Sequence, residues 1–378
     1  MRVDSTKILQ TSFYNPFENR GGGVEQVIYN LAKNLSKLGN DVDITCIGSK
    51  DNMVETKYGK LFEFGVPEFK IIGKFSIFFM KALYNRKIRK FIKDNGSNYD
   101  VIHVHGDIGG FKELGKFNTV LTLHGFSIQT HENRNIFDRL FIRFTSGKTE
   151  IKNMIFAKKI IAVSNAVKKY ASKYTFKKIM VLYNGVDCQK YKPLKSKDRK
   201  KLRQRLGFKN DIIYLLFVGG DAYRKGLDIA INTLNFFKNQ KVYLNVIGLK
   251  KFEDKTPNNI RFLGRISEQK KIKYYQASDI FLLPSRGEGF AIAPLEAMAC
   301  GLPVVVSKYS GVNEIISNMK NGAVVKTNKP KSYYLAINTV LNRRFNKKLR
   351  TNARLTAIKY DYRRLSIQYL YLYNFTRN

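Results

Sequence analysis

KILQTSFYNPFENRGGGVEQVIYNLAKNLSKLGNDVDITCI, residues Lys7 to Ile47, decides the fold. Lys7–Phe13 reads as a short strand, and a loop with the glycine run Gly21-Gly22-Gly23 follows. Val24, Val27, Ile28, Leu31, Leu35 and Leu38 then recur at helical spacing. Gly39-Asn40 closes that helix, since glycine adopts the left-handed conformation a helix end requires. Val42–Ile47 is apolar on alternate positions and reads as the next strand. Strand, glycine loop, helix and strand in that order make a βαβ unit, whose two strands pair in parallel.

The same alternation runs outward along the chain. Short β-branched strands are expected at Val101–His105, Thr119–Leu123, Ile160–Val163 and Met180–Leu182, each apolar enough to be buried on both faces. Each ends in polar or glycine-bearing sequence, where open α/β sheets bind ligands. Lys190–Lys209, rich in Lys and Arg, reads as a connection followed by an exposed helix. A second series follows at Ile212–Val218, Tyr243–Ile247, Ile260–Leu263, Ile280–Leu283 and Val304–Val306. Five strands with intervening helices predict a second doubly wound sheet. Residues 361–378 read as a terminal helix whose aromatic side chains need a surface to cover.

Length and composition bound the answer. A chain of 378 residues fits two domains, at ~100–200 residues each. With 44% hydrophobic and 13% aromatic residues it can build sizeable cores. The formal net charge of +39 and pI of about 10.0 fit an acidic partner, or a host whose codon usage inflates lysine. Charge alone does not choose between them. Cys46, Cys188 and Cys300 are far apart without C-x-x-C spacing, so neither zinc nor a disulfide framework is indicated. The first residues lack the long apolar core of a secretory signal, and no run reaches the ~20 apolar residues of a membrane span. The expectation is a cytoplasmic protein. Asp41-Val42-Asp43, the one D-x-D string, falls at a strand entry and reads as structural; no metal site is expected.

The segment Pro284 to Gly301, PSRGEGFAIAPLEAMACG, carries the chemistry. A strand runs into a glycine loop, then a helix with Pro294 in its first turn and Gly301 past its end. The amino end of such a helix presents N–H groups and a partial positive charge to a diphosphate. Glu288 and Glu296 bracket it, and carboxylates accept hydrogen bonds from paired sugar hydroxyls. The plainer reading of the same residues is a loop–helix turn with two solvated glutamates.

This segment closely resembles the E-x7-E signature of glycosyltransferase family 4, retaining enzymes with the GT-B fold: two Rossmann-like, doubly wound domains facing across a cleft. The likeness continues through "FVGGDAYRKG", "FLGR", "NGVD", "AVS", "LHG" and "GGGVEQ", in family order over nearly the whole chain. It implies an acceptor domain at 1–190, with 358–378 packing back on it, and a nucleotide-sugar-binding domain at 191–357.

By the same resemblance, Glu296 holds the donor ribose and Glu288 faces the transferred sugar. The backbone of Gly289, Phe290 and Ala291 approaches that sugar and the diphosphate. Arg224 and Lys225 match the basic pair that meets the diphosphate and the leaving group's charge. Gly220 stands where many members carry arginine; the variant resembles lipopolysaccharide-core glucosyltransferases, and the shift loosens the role of Arg224 more than that of Lys225. Gly219 and Arg265, in the matched segments, complete the donor set. Gly22 and Gly23 let backbone approach the phosphate, and His124 resembles an active-site histidine near the sugar. Ala291 stands where many members have glycine. Retention is implied, with the donor phosphate helping to deprotonate the acceptor and no cofactor; the donor is a UDP-, GDP- or ADP-sugar.

Residues 69–90 are basic and apolar together, with Ile71, Phe75, Phe78 and Ala82 on one helical face. Such a helix suits an anionic membrane surface, or simply packs on its own sheet. The expected partners are therefore the nucleotide-sugar, a glycan or lipid-linked acceptor and an anionic membrane at its cytoplasmic face. Nucleic acid is the rival suggested by charge, but no helix-turn-helix, zinc finger or RNA-recognition motif is present. A catalytically dead scaffold and another GT-B enzyme, glycogen-synthase-like or an epimerase, are the remaining alternatives.

Overall fold

The computed structural model describes residues 5–18, 22–68, 74–125, 137, 143–237, 241–252 and 256–374. It divides into two compact units, residues 1–184 with 362–378, and residues 185–361. Val186 pairs with Asp361, which keeps both linker strands with the second unit.

The first unit holds strands β1 (Lys7–Thr11), β2 (Asp41–Gly48), β3 (Asn52–Thr56), β4 (Gly59–Gly65), β5 (Val101–His105), β6 (Thr119–Leu123), β7 (Lys159–Ala162) and β8 (Ile179–Val181). Its described helices are α1 (Gly23–Lys37), α2 (Lys74–Asn95), α3 (Lys148–Phe156) and α4 (Asn165–Ala171). The sheet order is β3-β4-β2-β1-β5-β6-β7-β8. β1 and β2 pair in parallel, Ile8 opposite Val42, as the βαβ reading requires. Among the described strands of this sheet only β3 runs antiparallel, against β4. That hairpin was not read from the sequence, because β3 is exposed along most of its length and carries no buried stripe.

On α2 the inward stripe is Tyr84, Ile88 and Ile92, one residue per turn and fully buried. This differs from the face drawn from the sequence: Ala82 is exposed, and Ile71 lies outside the described residues. Tyr84 decides the rotation, since its hydroxyl donates to Ser12 O at 2.7 Å and accepts from the Thr45 hydroxyl at 2.9 Å beneath the sheet. Asp43, in the D-x-D string, accepts the Lys60 N–H and the Tyr99 hydroxyl, a structural duty.

The second unit holds β9 (Ile213–Val218), β10 (Val242–Ile247), β11 (Ile260–Phe262), β12 (Ile280–Leu283), β13 (Val304–Ser307) and β14 (Ala323–Val325). Its helices are α5 (Ser196–Arg205), α6 (Ala222–Lys225), α7 (Leu227–Leu234), α8 (Glu268–Ala277), α9 (Ile292–Ala299), α10 (Pro330–Leu341) and α11 (Arg343–Lys359). All pairs in this sheet are parallel, in the order β11-β10-β9-β12-β13-β14. Counted from its own first strand this is the 3-2-1-4-5-6 order of dinucleotide-binding sheets. β14 is a sixth strand beyond the five expected; three residues are too few to show a period.

α5 is less exposed than its composition predicts. Arg203 is buried, and with Arg199 it reaches Asp279 at 3.1 and 2.8 Å and the last carbonyls of α8. Asp279 also accepts the Tyr214 N–H, tying α5 to the entry of both β9 and β12. The last helix, α12 (Tyr362–Asn374), returns to the first unit, where it packs on α1. Among the described residues no helix is long and apolar enough to cross a membrane.

Asp279→Ala leaves Arg203 without its counter-charge in a poorly solvated place. We expect a loss of about 3 kcal/mol in unfolding free energy, measured by chemical denaturation.

Candidate active site

Ligand sites in open parallel sheets form at the carboxyl ends of the two strands between which the order reverses. In the second unit those are β9 and β12, which are neighbours. β9 runs into Gly219, Gly220 and Asp221. Asp221 caps α6, its Oδ1 accepting the Arg224 N–H at 3.0 Å. Gly226 stops α6 after one turn at φ 73°. A Cβ there would lie 2.0 Å from Pro284 O, so only glycine lets α6 dock against the end of β12.

Docking aims Arg224 and Lys225 at the same carboxylate. Glu288 Oε1 is 2.8 Å from Arg224 Nη1 and 3.0 Å from Lys225 Nζ. Burial pushes the Glu288 carboxyl up, but Lys225 and Arg224 outweigh it and hold it below the usual carboxylate range. Three residues expected at the site from sequence are therefore brought together here. The attraction of the two cations for Glu288 is chiefly Coulombic, with hydrogen bonding the smaller part. Asp221, not singled out from the sequence, also holds Arg224, at 3.3 Å from its Nε. Its signal was present: an acidic residue three positions before the arginine, at a helix start. Arg286, also unforeseen, donates its backbone N–H to Arg224 O and grips Asp228 with two nitrogens at 2.8 and 2.6 Å.

Gly219 has a physical reason of its own. The Lys225 stem folds back across it, and a Cβ at Gly219 would meet Lys225 Cδ at 2.0 Å. The loop from Gly287 to Ala291 is pinned at both ends, Glu288 N–H to Tyr309 O at 2.9 Å and Ala291 N–H to Ser310 O at 3.0 Å. The Ala291 amide, expected to approach a ligand, is thus engaged inside the protein. Phe290 and the Ala291 methyl are buried. α9 begins at once, without a side-chain cap.

Glu296, on α9, is buried apart from this contact. Lys271 Nζ lies 3.0 Å from its Oε1 and the Tyr275 hydroxyl donates to Oε2 at 2.7 Å, both from one face of α8. A carboxylate has about four acceptor sites, so capacity remains. Sequence spacing could not reveal these partners, which come from a different helix. Arg265 is exposed.

In the first unit the order reverses between β1 and β5. After β1, Gly22 donates its N–H to Glu25 Oε2 at 2.7 Å, capping α1, which Gly23 begins. A Cβ on Gly22 would make only an ordinary 3.5 Å contact, so nothing in the described chain demands glycine there. Gly21 lies outside the described residues. His124 follows β6, and its Nε2 is 2.8 Å from His105 Nδ1 at the end of β5. Burial lowers the His124 pKa to about 4, so the ring is neutral at physiological pH.

The protein family described as glycosyl transferases group 1 matches residues 198–359, and glycosyltransferase family 4 matches residues 21–190. An uncharacterized glycosyltransferase of Methanocaldococcus jannaschii is 28% identical over 339 residues, covering 86% of this chain and 85% of that one. The N,N'-diacetylbacillosaminyl-diphospho-undecaprenol alpha-1,3-N-acetylgalactosaminyltransferase of Campylobacter jejuni is 28% identical over 251 residues, 62% of this chain and 64% of its own. Among solved structures, Anabaena HepE in complex with UDP-glucose has the same fold, with a TM-score of 0.71 at 20% identity over 96% of this chain and 98% of that one.

Two glycine substitutions separate fold from ligand approach. Gly226→Ala is expected to cost more than about 1 kcal/mol in thermal or urea unfolding, because of its positive φ and the Pro284 carbonyl. Gly287→Ala, where a Cβ meets nothing within 4 Å, should leave stability unchanged within about 0.5 kcal/mol.

Proposed function

The chain belongs to glycosyltransferase family 4 and has the GT-B fold, and from that premise we propose that it moves a sugar, with retention, from a nucleoside-diphosphate donor to a hydroxyl of a glycan or lipid-linked acceptor. The observation that carries the proposal is the convergence of Arg224, Lys225 and Glu288 at the strand ends where the second sheet reverses. Two cations at such a point suit a diphosphate, whose charge grows as the sugar leaves. Glu288 then meets the sugar and Glu296 the ribose. The family's motif assigns Gly22 to the phosphate and His124 to the sugar.

In this reading the bond from the sugar's anomeric carbon to the diphosphate oxygen breaks while the acceptor oxygen bonds that carbon on the same face. The departing phosphate takes the acceptor's proton. Arg224 and Lys225 meet the diphosphate charge, and the proposal invokes no cofactor. The donor is a UDP-, GDP- or ADP-sugar. The Anabaena structure with UDP-glucose supports a donor of this kind, and the Campylobacter enzyme's name supports a lipid diphosphate acceptor. Phe79 and Leu83 are exposed on α2 on the same stripe as exposed Arg86 and Lys90, which supports contact with an anionic membrane at its cytoplasmic face.

A thermal-shift screen against the three donor classes tests the core of the proposal; no stabilisation by any of them would defeat it. Lys225→Ala should lower donor turnover by roughly 10²-fold or more. Lys241→Ala, an exposed lysine paired with Asp211, should not, and equal activity in both variants counts against Lys225. Because Glu288 lies on the same two cations, a diphosphate must share them with it. Glu288→Gln should therefore bind the free nucleoside diphosphate at least about as tightly as the parent in calorimetry, while turnover falls. Flotation with anionic and neutral liposomes tests membrane contact: equal recovery with both rules out the electrostatic form.

A further inference from the structure

The first unit contains three histidines in one line. β5 alternates, so His103 and His105 share a face. β6 lies beside it in parallel, Val120 opposite His103 and Thr122 opposite His105, and His124 follows two residues past Thr122 on the same face. The result is a chain of rings: His103 and His105 with centroids 4.0 Å apart, His105 and His124 with centroids 5.1 Å apart and planes at 21°. The near-parallel planes and the 2.8 Å separation of His105 Nδ1 and His124 Nε2 describe a hydrogen bond carrying one proton. A charged pair here is disfavoured, since burial holds His105 well below its ordinary pKa and His124 at about 4.

Two neutral rings can share that proton in two ways. If His124 Nε2–H donates, the His105 proton sits on Nε2, which is buried and has no hydrogen-bond partner among the described residues. A buried N–H without an acceptor costs about 1–3 kcal/mol, and it is a rarer orphan than an unsatisfied acceptor. If His105 Nδ1–H donates instead, only a lone pair is left bare there, and His124 carries its proton on Nδ1.

Turning the His105 ring over would give up its 2.8 Å contact with His124. His103, stacked against it, is fixed by Thr122 Oγ1 at 2.8 Å on Nε2 and by the Tyr373 hydroxyl at 2.7 Å on Nδ1. Tyr369 lies on the His103 ring at 5.3 Å between centroids. Both tyrosines come from α12, one turn apart.

We infer that His105 is a positioning residue that fixes His124 as the Nδ1–H tautomer, so that the nitrogen His124 keeps for a ligand is a hydrogen-bond donor and not a base. This rests on the reading of His124 as facing the transferred sugar. There a donor suits a sugar hydroxyl oxygen, and the acceptor's proton is left to the departing phosphate. No carboxylate is needed to orient His124, because a second imidazole takes that place.

The chain has four histidines, few enough to resolve by NMR of the full chain labelled on the histidine nitrogens. The expected result is a single neutral His124 with its proton on Nδ1. In His105→Leu, His124 should populate both tautomers. Turnover of the donor found in the nucleotide-sugar screen should fall roughly 10-fold or more, with affinity for the free nucleoside diphosphate unchanged. His105→Asn places an amide where Nδ1 stood and should restore a single tautomer and most of the turnover. A parent His124 protonated on Nε2, or a tautomer unaltered in His105→Leu, overturns the inference. If His105→Leu does not fold, the parent spectrum and His105→Asn decide alone. The NMR result needs no substrate, so it stands or falls separately from the glycosyltransferase reading, which fails instead if no donor binds.

Discussion

Parallel pairing is the constraint on which the rest of this molecule depends. A parallel strand cannot turn directly into its neighbour; it must be followed by a crossover, and so all the parallel strands of a sheet end on the same edge. Where the strand order reverses, the adjoining crossovers leave in opposite directions and a crevice opens between them. In the first unit the loops flanking that point carry Gly22 after β1 and His105 at the end of β5, with His124 one strand further. In the second they carry Gly219 to Lys225 after β9 and Arg286 to Glu288 after β12. The residues with chemistry to offer sit at strand ends because the topology leaves backbone unpaired there.

Electrostatics then separates the two glutamates of the signature. Glu288 faces two cations from a one-turn helix, held in place by Asp221 and by a glycine that alone fits beneath Pro284 O. Its charge is tolerated out of solvent because the cations outweigh burial. Glu296 is held by a lysine and a tyrosine of a neighbouring helix, which leave acceptor capacity on its carboxylate. The first is suited to exchanging partners, the second to holding one orientation.

The final helix belongs to the chemistry of the first unit as much as to its packing. Tyr369 and Tyr373 are buried against His103, and Lys159 Nζ donates to Leu372 O at 3.0 Å. A helix nearly two hundred residues beyond the last strand of that sheet thereby closes over a row of histidines made by β5 and β6.

The sequence by itself determined the alternation of strands and helices, because burial on both faces demands continuous apolar runs and crossover helices demand a 3.6-residue stripe. It also determined the glycine-bearing strand ends and the E-x7-E loop. It could not show the β3–β4 hairpin or β14, which are exposed or too short to carry a period, and it left open which stripe of α2 turns inward, since a hydrogen bond from Tyr84 to another element sets that rotation. Only the tertiary structure decided what each polar group meets. The ion pairs of Glu288, the partners of Glu296, the knot at Asp279 and the pairing of His105 with His124 all join segments distant in the chain. Local spacing encodes which face a residue occupies, whereas a hydrogen bond or ion pair requires two such faces to be brought within about 3 Å, and packing alone does that.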